Sequence, residues 1–207
     1  MKRIAFILFL LLAFTGASAQ EFVKIMSYNV RNAKGMDNVR DFSRVAKVIN
    51  LEQPDVVAVQ ELDSMTNRSG QKYVLGELAK LTGMHAEYFP AIKFDGGKYG
   101  IGILSKEKPI AVQGYPLPGR EEERALLVAE FQDYMFACTH LSLTEEDRMA
   151  SLEIIGKKAA ASEKPFYLAG DLNAVPNSLF IKELEKDFEI LSNPKEFTFP
   201  ADVPNRT

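Results

Sequence analysis

The sequence predicts a single mixed α/β domain, and three observations support this fold class. Strand-like apolar runs alternate with helical stripes near both ends of the chain, and several strands follow one another in the middle. Hydrophobic residues make up 46% of the chain, enough for a sizeable core. No stretch rich in Pro, Gly and Ser divides the sequence. The expected architecture is therefore one domain in which helices cover the faces of β-sheets.

Residues 1–19 have the pattern of a secretory signal peptide. A basic start at Lys2 precedes an unbroken apolar run over 4–14, which is too short to cross a bilayer comfortably. An A-x-A cleavage site then ends at Ala19. We therefore expect cleavage after Ala19, a mature domain over 20–207 and a secreted or periplasmic protein. An uncleaved anchor is the alternative.

Composition narrows the function classes. The single cysteine, Cys138, cannot form an internal disulfide and lies in an apolar stretch, so we interpret it as a small buried hydrophobe. Export without disulfides suits a bacterial protein. The formal net charge is −3, which argues weakly against a general nuclease because phosphate backbones reward Lys and Arg. With only two histidines and one cysteine, the chain does not suit a zinc site.

Periodicity and turn signals define the elements in chain order. Apolar runs predict strands at 22–30, 55–59, 85–91, 100–104, 110–115, 124–131, 134–139 and 165–169. Apolar stripes predict helices after Asp37, over 73–81, after Thr144 and over 178–186. Asp37 is the expected N-cap of the first helix, and Thr144 with Asp147 has the spacing of a capping box. Val39 and Leu81 are expected to face the core.

Polar side chains lie at or just beyond the ends of four of the predicted strands, where each apolar run stops. In chain order they are Asn29, Gln60, Glu61, His140, Asp171 and Asn173. Each residue alone is typical of a turn, a solvated strand end or a structural histidine. Together they favour a common site, because crevices beyond strand ends are where sheet proteins place their ligands.

These residue types suit the hydrolysis of a phosphoester. A hard cation is needed to neutralise developing negative charge, and Mg²⁺, with Mn²⁺ as a substitute, takes oxygen ligands such as those of Asn29 and Glu61. Asp171 is the candidate to orient and deprotonate an attacking water. Asn173 is expected to hold this base or the scissile phosphate. His140 is expected to donate a hydrogen bond to a phosphate oxygen or to help protonate the leaving group.

The segments SYNV, VVAVQE, GIGILSK, CTHLS and LAGDLNAVP resemble, in this order, the endonuclease/exonuclease/phosphatase superfamily, which includes pancreatic deoxyribonuclease. The resemblance implies a four-layer α/β/β/α sandwich of two mixed sheets with helices outside. It implies a hydrolase with Asn29 and Glu61 beside a divalent metal. It further implies that Asp171, with Asn173 next to it, positions or activates the water, and that His140 lies near the phosphate.

Two features bear on activity within this resemblance. Arg124, just before an apolar strand, is a candidate substrate-binding residue, although an arginine at a strand start is more often a solvated cap. Family members end with an aspartate-bearing strand and a Ser-Asp-His element, whereas no histidine follows His140 here. We therefore expect the last strands of the fold to be missing from this sequence, and the 207-residue chain to hydrolyse phosphodiesters at a small fraction of the full-length rate.

Substrate and partners stay open at this level. The candidate substrates are a nucleic acid, a phospholipid head group and a sugar phosphate, and we expect a monomer without a stable membrane anchor. A catalytically impaired remnant or binding protein that keeps the fold is the alternative function. A calcineurin-like metallophosphatase is disfavoured, because such sites need several metal-binding histidines.

Overall fold

The structure, a computed structural model, describes residues 22–205 and contains two four-stranded sheets packed face to face between two layers of helices. The strands are β1 (Ile25–Asn29), β2 (Val56–Ser64), β3 (His85–Phe94), β4 (Gly97–Ser105), β5 (Ala111–Leu117), β6 (Arg124–Glu130), β7 (Met135–His140) and β8 (Phe166–Asp171). The helices are α1 (Phe42–Glu52), α2 (Val74–Thr82), α3 (Glu145–Ala160) and α4 (Leu179–Leu184), with a 3-10 turn at Arg31–Ala33. The predicted four-layer sandwich is confirmed. The signal-peptide prediction lies outside the described residues.

Both sheets are mixed. The first sheet has the order β1-β2-β4-β3, and the second has the order β5-β6-β7-β8. Strands β1 and β2 are parallel, as are β7 and β8, whereas the other neighbouring pairs are antiparallel. Across the sandwich β1 contacts β8 and β2 contacts β7, so the two parallel pairs face each other.

Three apolar layers hold the sandwich together. The layer between the sheets includes Ala58 and Phe136, and it contains Cys138, which is fully buried. A second layer, which includes Ile49, lies between the first sheet and helices α1 and α2. A third, which includes Ile155, lies between the second sheet and helices α3 and α4. Among residues 22–205, no helix has both the length and the apolar run that a bilayer crossing requires.

The first helix begins later than the sequence pattern indicates. Its N-cap is Asp41, whose Oδ1 accepts the backbone N–H groups of Ser43 and Arg44 at 2.8 and 3.3 Å. Asp37 instead accepts the N–H of Val39 in the preceding turn. The predicted cap was wrong because two aspartates precede the apolar stripe and only the nearer one meets free helical N–H groups. Val39, outside the helix, is 51% exposed.

Two further local predictions were also wrong. The Thr144 side chain forms no capping hydrogen bond, and Asp147 accepts from the Arg120 backbone N–H and guanidinium instead. Since Asp147 has a cationic partner, the capping-box arrangement does not form. Leu81 is 47% exposed, because it lies with Leu51 along a surface groove beside α1 instead of facing the sheet.

Candidate active site

In the second sheet, regular strand alternation brings two polar side chains to the space between the sheets. Cys138 of β7 and Ala169 of β8 pack in the inter-sheet layer, so His140 and Asp171, two residues further on, face the same way. His140 and Asp171 are directly paired where the two parallel strands end. The second sheet thus delivers an imidazole and a carboxylate side by side.

A close approach of backbones precedes Asp171. A Cβ atom added to Gly170 would lie 2.1 Å from the carbonyl oxygen of Thr139, so no larger residue fits here without displacing β7 from β8. The glycine in the sequence LAGDLN is therefore required by packing between adjacent strands. This packing positions the strand end that carries Asp171.

In the first sheet, strand β2 is irregular at Gln60 and Glu61, the residues that contribute to the site. The β2–β4 pairing jumps from Val59–Gly102 to Leu62–Gly100, so Gln60 and Glu61 together form a β-bulge. Val59 and Leu62 both pack on the helix side of the sheet. The bulge therefore lets Gln60 and Glu61 face the inter-sheet side consecutively, with Glu61 in the left-handed region at φ 60°. The predicted strand over 55–59 was too short, since β2 continues to Ser64.

The amide of Asn29 connects the two sheets. Its Nδ2 donates to Oε1 of Glu61 at 2.8 Å and to Oδ2 of Asp171 at 3.0 Å. Its Oδ1 accepts the backbone N–H of Arg31 at 3.1 Å. Nε2 of His140 lies 3.9 Å from the same Asp171 oxygen. The structure thus brings Asn29, Glu61, His140 and Asp171 into one cluster, which we call the amide-bridged cluster.

Asn173 holds the end of β8 in place. Its backbone N–H donates to Oδ1 of Asp171 at 3.1 Å, and its Nδ2 donates to the carbonyl of Leu141 at 2.8 Å. Its backbone lies in the left-handed region at φ 48°, which Asn tolerates better than most residues. Both Asp171 oxygens are therefore held by asparagine N–H groups.

Burial controls the charge of His140. The side chain is 11% exposed, and burial lowers the pKa of the imidazole. Asp171 opposes this shift, and Arg124 adds to it. The net direction is downward, so His140 is neutral at pH 7.

Arg124 pairs with carboxylates of its own loop. Its Nη2 lies 2.9 Å from Glu121 and its Nη1 lies 2.8 Å from Glu122, while its Nε is buried without a hydrogen-bond partner among the described residues. Although burial opposes the shift, hydrogen bonds from Arg124 and from the Leu143 N–H lower the pKa of Glu121 to about 2. Arg124 makes no hydrogen bond to the amide-bridged cluster among residues 22–205, although its charge affects His140.

One neighbour of the site was missed by sequence reasoning. Tyr99 of β4 lies directly opposite Asp63, two residues beyond Glu61. Ile101 and Ile103 on the same strand pack between the sheets, so alternation places Tyr99 on that face too. The alternation Tyr99, Ile101, Ile103 was the signal, but a tyrosine at a strand start suggested nothing on its own.

The donor set of the cluster fits an oxygen-ligated divalent cation. Glu61 and Asp171 converge on one amide group, and no Lys or Arg among residues 22–205 forms an ion pair with either carboxylate. No group of three or more His, Cys, Asp and Glu suited to a metal ion occurs in this range. Mg²⁺ needs only one or two carboxylates because it keeps several waters, so Glu61 and Asp171 are adequate. Oδ1 of Asn29 accepts the Arg31 N–H and has a second lone pair for a cation.

A family comparison agrees with this geometry. The model of the endonuclease/exonuclease/phosphatase family matches residues 26–206. The chain belongs to this family. The predicted resemblance is thereby confirmed, over nearly the whole of the described part.

Solved structures of the family share the fold. An endonuclease/exonuclease/phosphatase from Beutenbergia cavernae superposes with a TM-score of 0.65 at 21% identity, over 80% of this chain and 53% of that one. A mannosyl-6-phosphatase of Bacteroides thetaiotaomicron gives 0.62 at 16% identity, over 80% and 70%. The chain therefore spans about half the length of the Beutenbergia protein. At these identities the likeness shows the fold alone.

Proposed function

We propose that this chain is a divalent-metal-dependent phosphoester hydrolase whose domain, residues 20–207, is secreted or periplasmic after cleavage near Ala19. The observation that carries the proposal is the amide-bridged cluster, in which a neutral imidazole meets two carboxylates that form no ion pair with any Lys or Arg of residues 22–205. Family membership supports the same reaction class.

The metal would be held by Glu61 and by Oδ1 of Asn29, because the Nδ2 group that faces the two carboxylates is a donor and cannot bind a cation. Mg²⁺, or Mn²⁺ in its place, would neutralise negative charge on the phosphate. The chain itself positions Glu61 on strand β2. The bulge turns its side chain towards the space between the sheets, and Asn29 donates a hydrogen bond to it. The negative charge of Glu61 and Asp171, which no Lys or Arg among residues 22–205 neutralises, favours binding of a cation beside them.

Asp171 is the proposed general base. Its Oδ1 and Oδ2 are held by N–H groups of Asn173 and Asn29, which orients the carboxylate for proton transfer from a water. His140, neutral at pH 7, would donate an N–H to a non-bridging phosphate oxygen. A histidine with a lowered pKa is a poor proton donor to a leaving group at this pH, so the hydrogen-bonding role is favoured. Arg124, which is buried and whose charge affects His140, would add positive charge near the bound phosphate.

The electrostatics favour a small phosphorylated molecule over a polynucleotide. The formal net charge is −3, and Arg124, a buried cation whose charge affects His140, is already paired with two carboxylates. A polynucleotide backbone rewards many accessible cations. One structural neighbour is named a mannosyl-6-phosphatase, which is in keeping with a small phosphorylated molecule.

The test is hydrolysis of bis(p-nitrophenyl) phosphate and p-nitrophenyl phosphate with and without a chelator. We expect Mg²⁺-dependent turnover, and a loss of about 10³-fold in kcat for Asp171→Asn, the range typical of a general base. Asp133→Asn is the matched control, because Asp133 is an exposed aspartate in the turn between β6 and β7, remote from the cluster. Turnover that is indifferent to the chelator, or equal in Asp171→Asn and wild type, would overturn the proposal.

A further inference from the structure

A second polar and aromatic group lies beside the amide-bridged cluster. It consists of Phe94, Arg68 and Tyr99, and we call it the aromatic wall. The Arg68 guanidinium lies 4.3 Å from the ring centre of Phe94 and 5.5 Å from that of Tyr99. The two rings are 6.0 Å apart. The wall thus combines two ring faces with one delocalised cation.

Strand register places the wall next to the cluster. Tyr99 is paired with Asp63, so Glu61 is its diagonal neighbour on the adjacent strand. Diagonal neighbours on one face of a sheet have their β-carbons roughly 7–8 Å apart, within reach of long side chains. Burial raises the pKa of the Tyr99 hydroxyl, and the nearby Glu61 and Glu122 raise it further. The Tyr99 hydroxyl therefore stays protonated and can donate a hydrogen bond close to these carboxylates.

The wall is held rigidly from behind. Nε and Nη2 of Arg68 each donate to Asp63 at 2.7 Å, and Asp63 is completely buried. Thr66 donates a further hydrogen bond to Asp63 at 2.9 Å. A bidentate arginine–carboxylate pair has a fixed geometry, so Arg68 is locked in place, as a preformed binding surface requires.

Two donors of the wall are unused. Neither the Tyr99 hydroxyl nor Nη1 of Arg68 makes a hydrogen bond to any residue of the described part, 22–205. The Tyr99 hydroxyl is not among the buried atoms that lack a partner, and the Arg68 side chain is 39% exposed. Both groups are therefore open to a ligand. An aromatic ring with free hydrogen-bond donors beside it suits a sugar. The C–H groups of the sugar can pack on the aromatic ring, and the hydroxyl groups at its edge can accept hydrogen bonds from the donors.

We propose that Tyr99 and Arg68 form a subsite for the sugar ring of a phosphorylated sugar, with its phosphate at the amide-bridged cluster; this rests on the proposed function. The ring lies against Tyr99, and its hydroxyls accept from the Tyr99 hydroxyl and Nη1 of Arg68. The shared chemistry is a sugar ring one carbon away from a phosphate. A free hexose 6-phosphate and a nucleoside 5′-phosphate both supply it.

Calorimetric binding in the presence of Mg²⁺ tests this subsite with three probes: glucose 6-phosphate, adenosine 5′-monophosphate and orthophosphate. Tyr99→Leu should weaken the binding of at least one sugar phosphate about tenfold, the contribution expected of one ring contact. The affinity for orthophosphate should change by less than about twofold. Tyr99→Phe keeps the ring and removes only the hydroxyl, so it should lose less. Tyr115→Leu is the matched control, because Tyr115 also packs against a cation, Lys158 at 4.0 Å, on the other sheet.

The sugar phosphate with the larger loss identifies the source of the ring. The proposed subsite is overturned if Tyr99→Leu weakens the binding of orthophosphate as much as that of the sugar phosphates, or if it changes the affinity for neither sugar phosphate. It is also overturned if Tyr115→Leu has the same effect. If Tyr99→Leu does not fold, an unchanged Tyr99→Phe overturns the hydroxyl contact. Ring-dependent binding without turnover of any phosphoester would keep the subsite and reject the hydrolase. No binding of any probe would reject both.

Discussion

The two sheets bring functional groups to the same edge of the sandwich by different routes. The second sheet uses unbroken alternation, so His140 and Asp171 are paired in register. The first sheet uses a bulge, in which Gln60 and Glu61 together oppose one residue of β4. Regular alternation can be extrapolated from a sequence, whereas a bulge changes the facing of every later residue. The first sheet therefore carries the less predictable half of the site.

The difference is also energetic. Glu61 has φ 60° in the middle of a strand, whereas Asp171 is absent from the positive-φ residues of the described chain. A left-handed backbone costs a residue with a Cβ atom roughly 1–2 kcal/mol. Such strain persists only when the surrounding structure enforces it, and it is common at functional sites. The neighbouring strands β1 and β4 supply this constraint for Glu61.

Among the changes that test this comparison of the two sheets, the largest expected effect concerns the link between them. Asn29→Ala removes the amide that holds Glu61 of one sheet and Asp171 of the other. We expect kcat/KM for bis(p-nitrophenyl) phosphate to fall about 10–100-fold, the usual cost of losing a group that orients metal ligands. Asn50→Ala is the control, because Asn50 bonds the carbonyl of Leu81 on the outer side of the first sheet. Equal activity in the two variants would contradict the bridging role.

A smaller effect concerns the stability of a glycine variant relative to an alanine variant, and its sign should be opposite at Glu61 of the first sheet and Asp171 of the second. Glu61→Gly should be about 1 kcal/mol more stable than Glu61→Ala, because glycine adopts positive φ without a steric penalty. At the regular strand position, Asp171→Gly should be about 0.5–1 kcal/mol less stable than Asp171→Ala. Urea unfolding of the four variants measures both differences. If glycine is the less stable choice at both positions, the bulge is not strained in solution.

The smallest expected effect is a dependence of stability on pH. Burial lowers the pKa of His140 in the folded state, so the unfolded chain binds the proton more tightly. Stability from this group is present above its unfolded pKa of about 6.5 and declines as the pH falls from there towards the lower folded pKa. His140→Gln should flatten this decline in urea unfolding between pH 7 and pH 5. His85→Gln, at an exposed strand start, should keep the wild-type slope.

The sequence does not specify where α1 begins or how much of α2 the sheet covers. Asp37 and Asp41 both precede an apolar stripe, and only the tertiary turn between Lys34 and Arg40, which form an isolated β-bridge, decides which aspartate caps α1. Leu81 continues the stripe of α2, yet it lies beyond the part of the helix that the sheet covers. Periodicity indicates which face of a helix is apolar, but not how much of it the neighbouring layer covers.

The sequence by itself determined the class of the fold and the residue types of the cluster. Apolar runs that stop at Asn29, His140 and Asp171 indicated strand ends carrying oxygen and nitrogen groups, because strand alternation is a local property of the backbone. Only the tertiary structure decided that the Asn29 amide joins both carboxylates, that Arg124 is paired with Glu121 and Glu122, and that Tyr99 stands beside Glu61. These contacts depend on the β2 bulge and on how the two sheets face each other, and both arise from long-range packing.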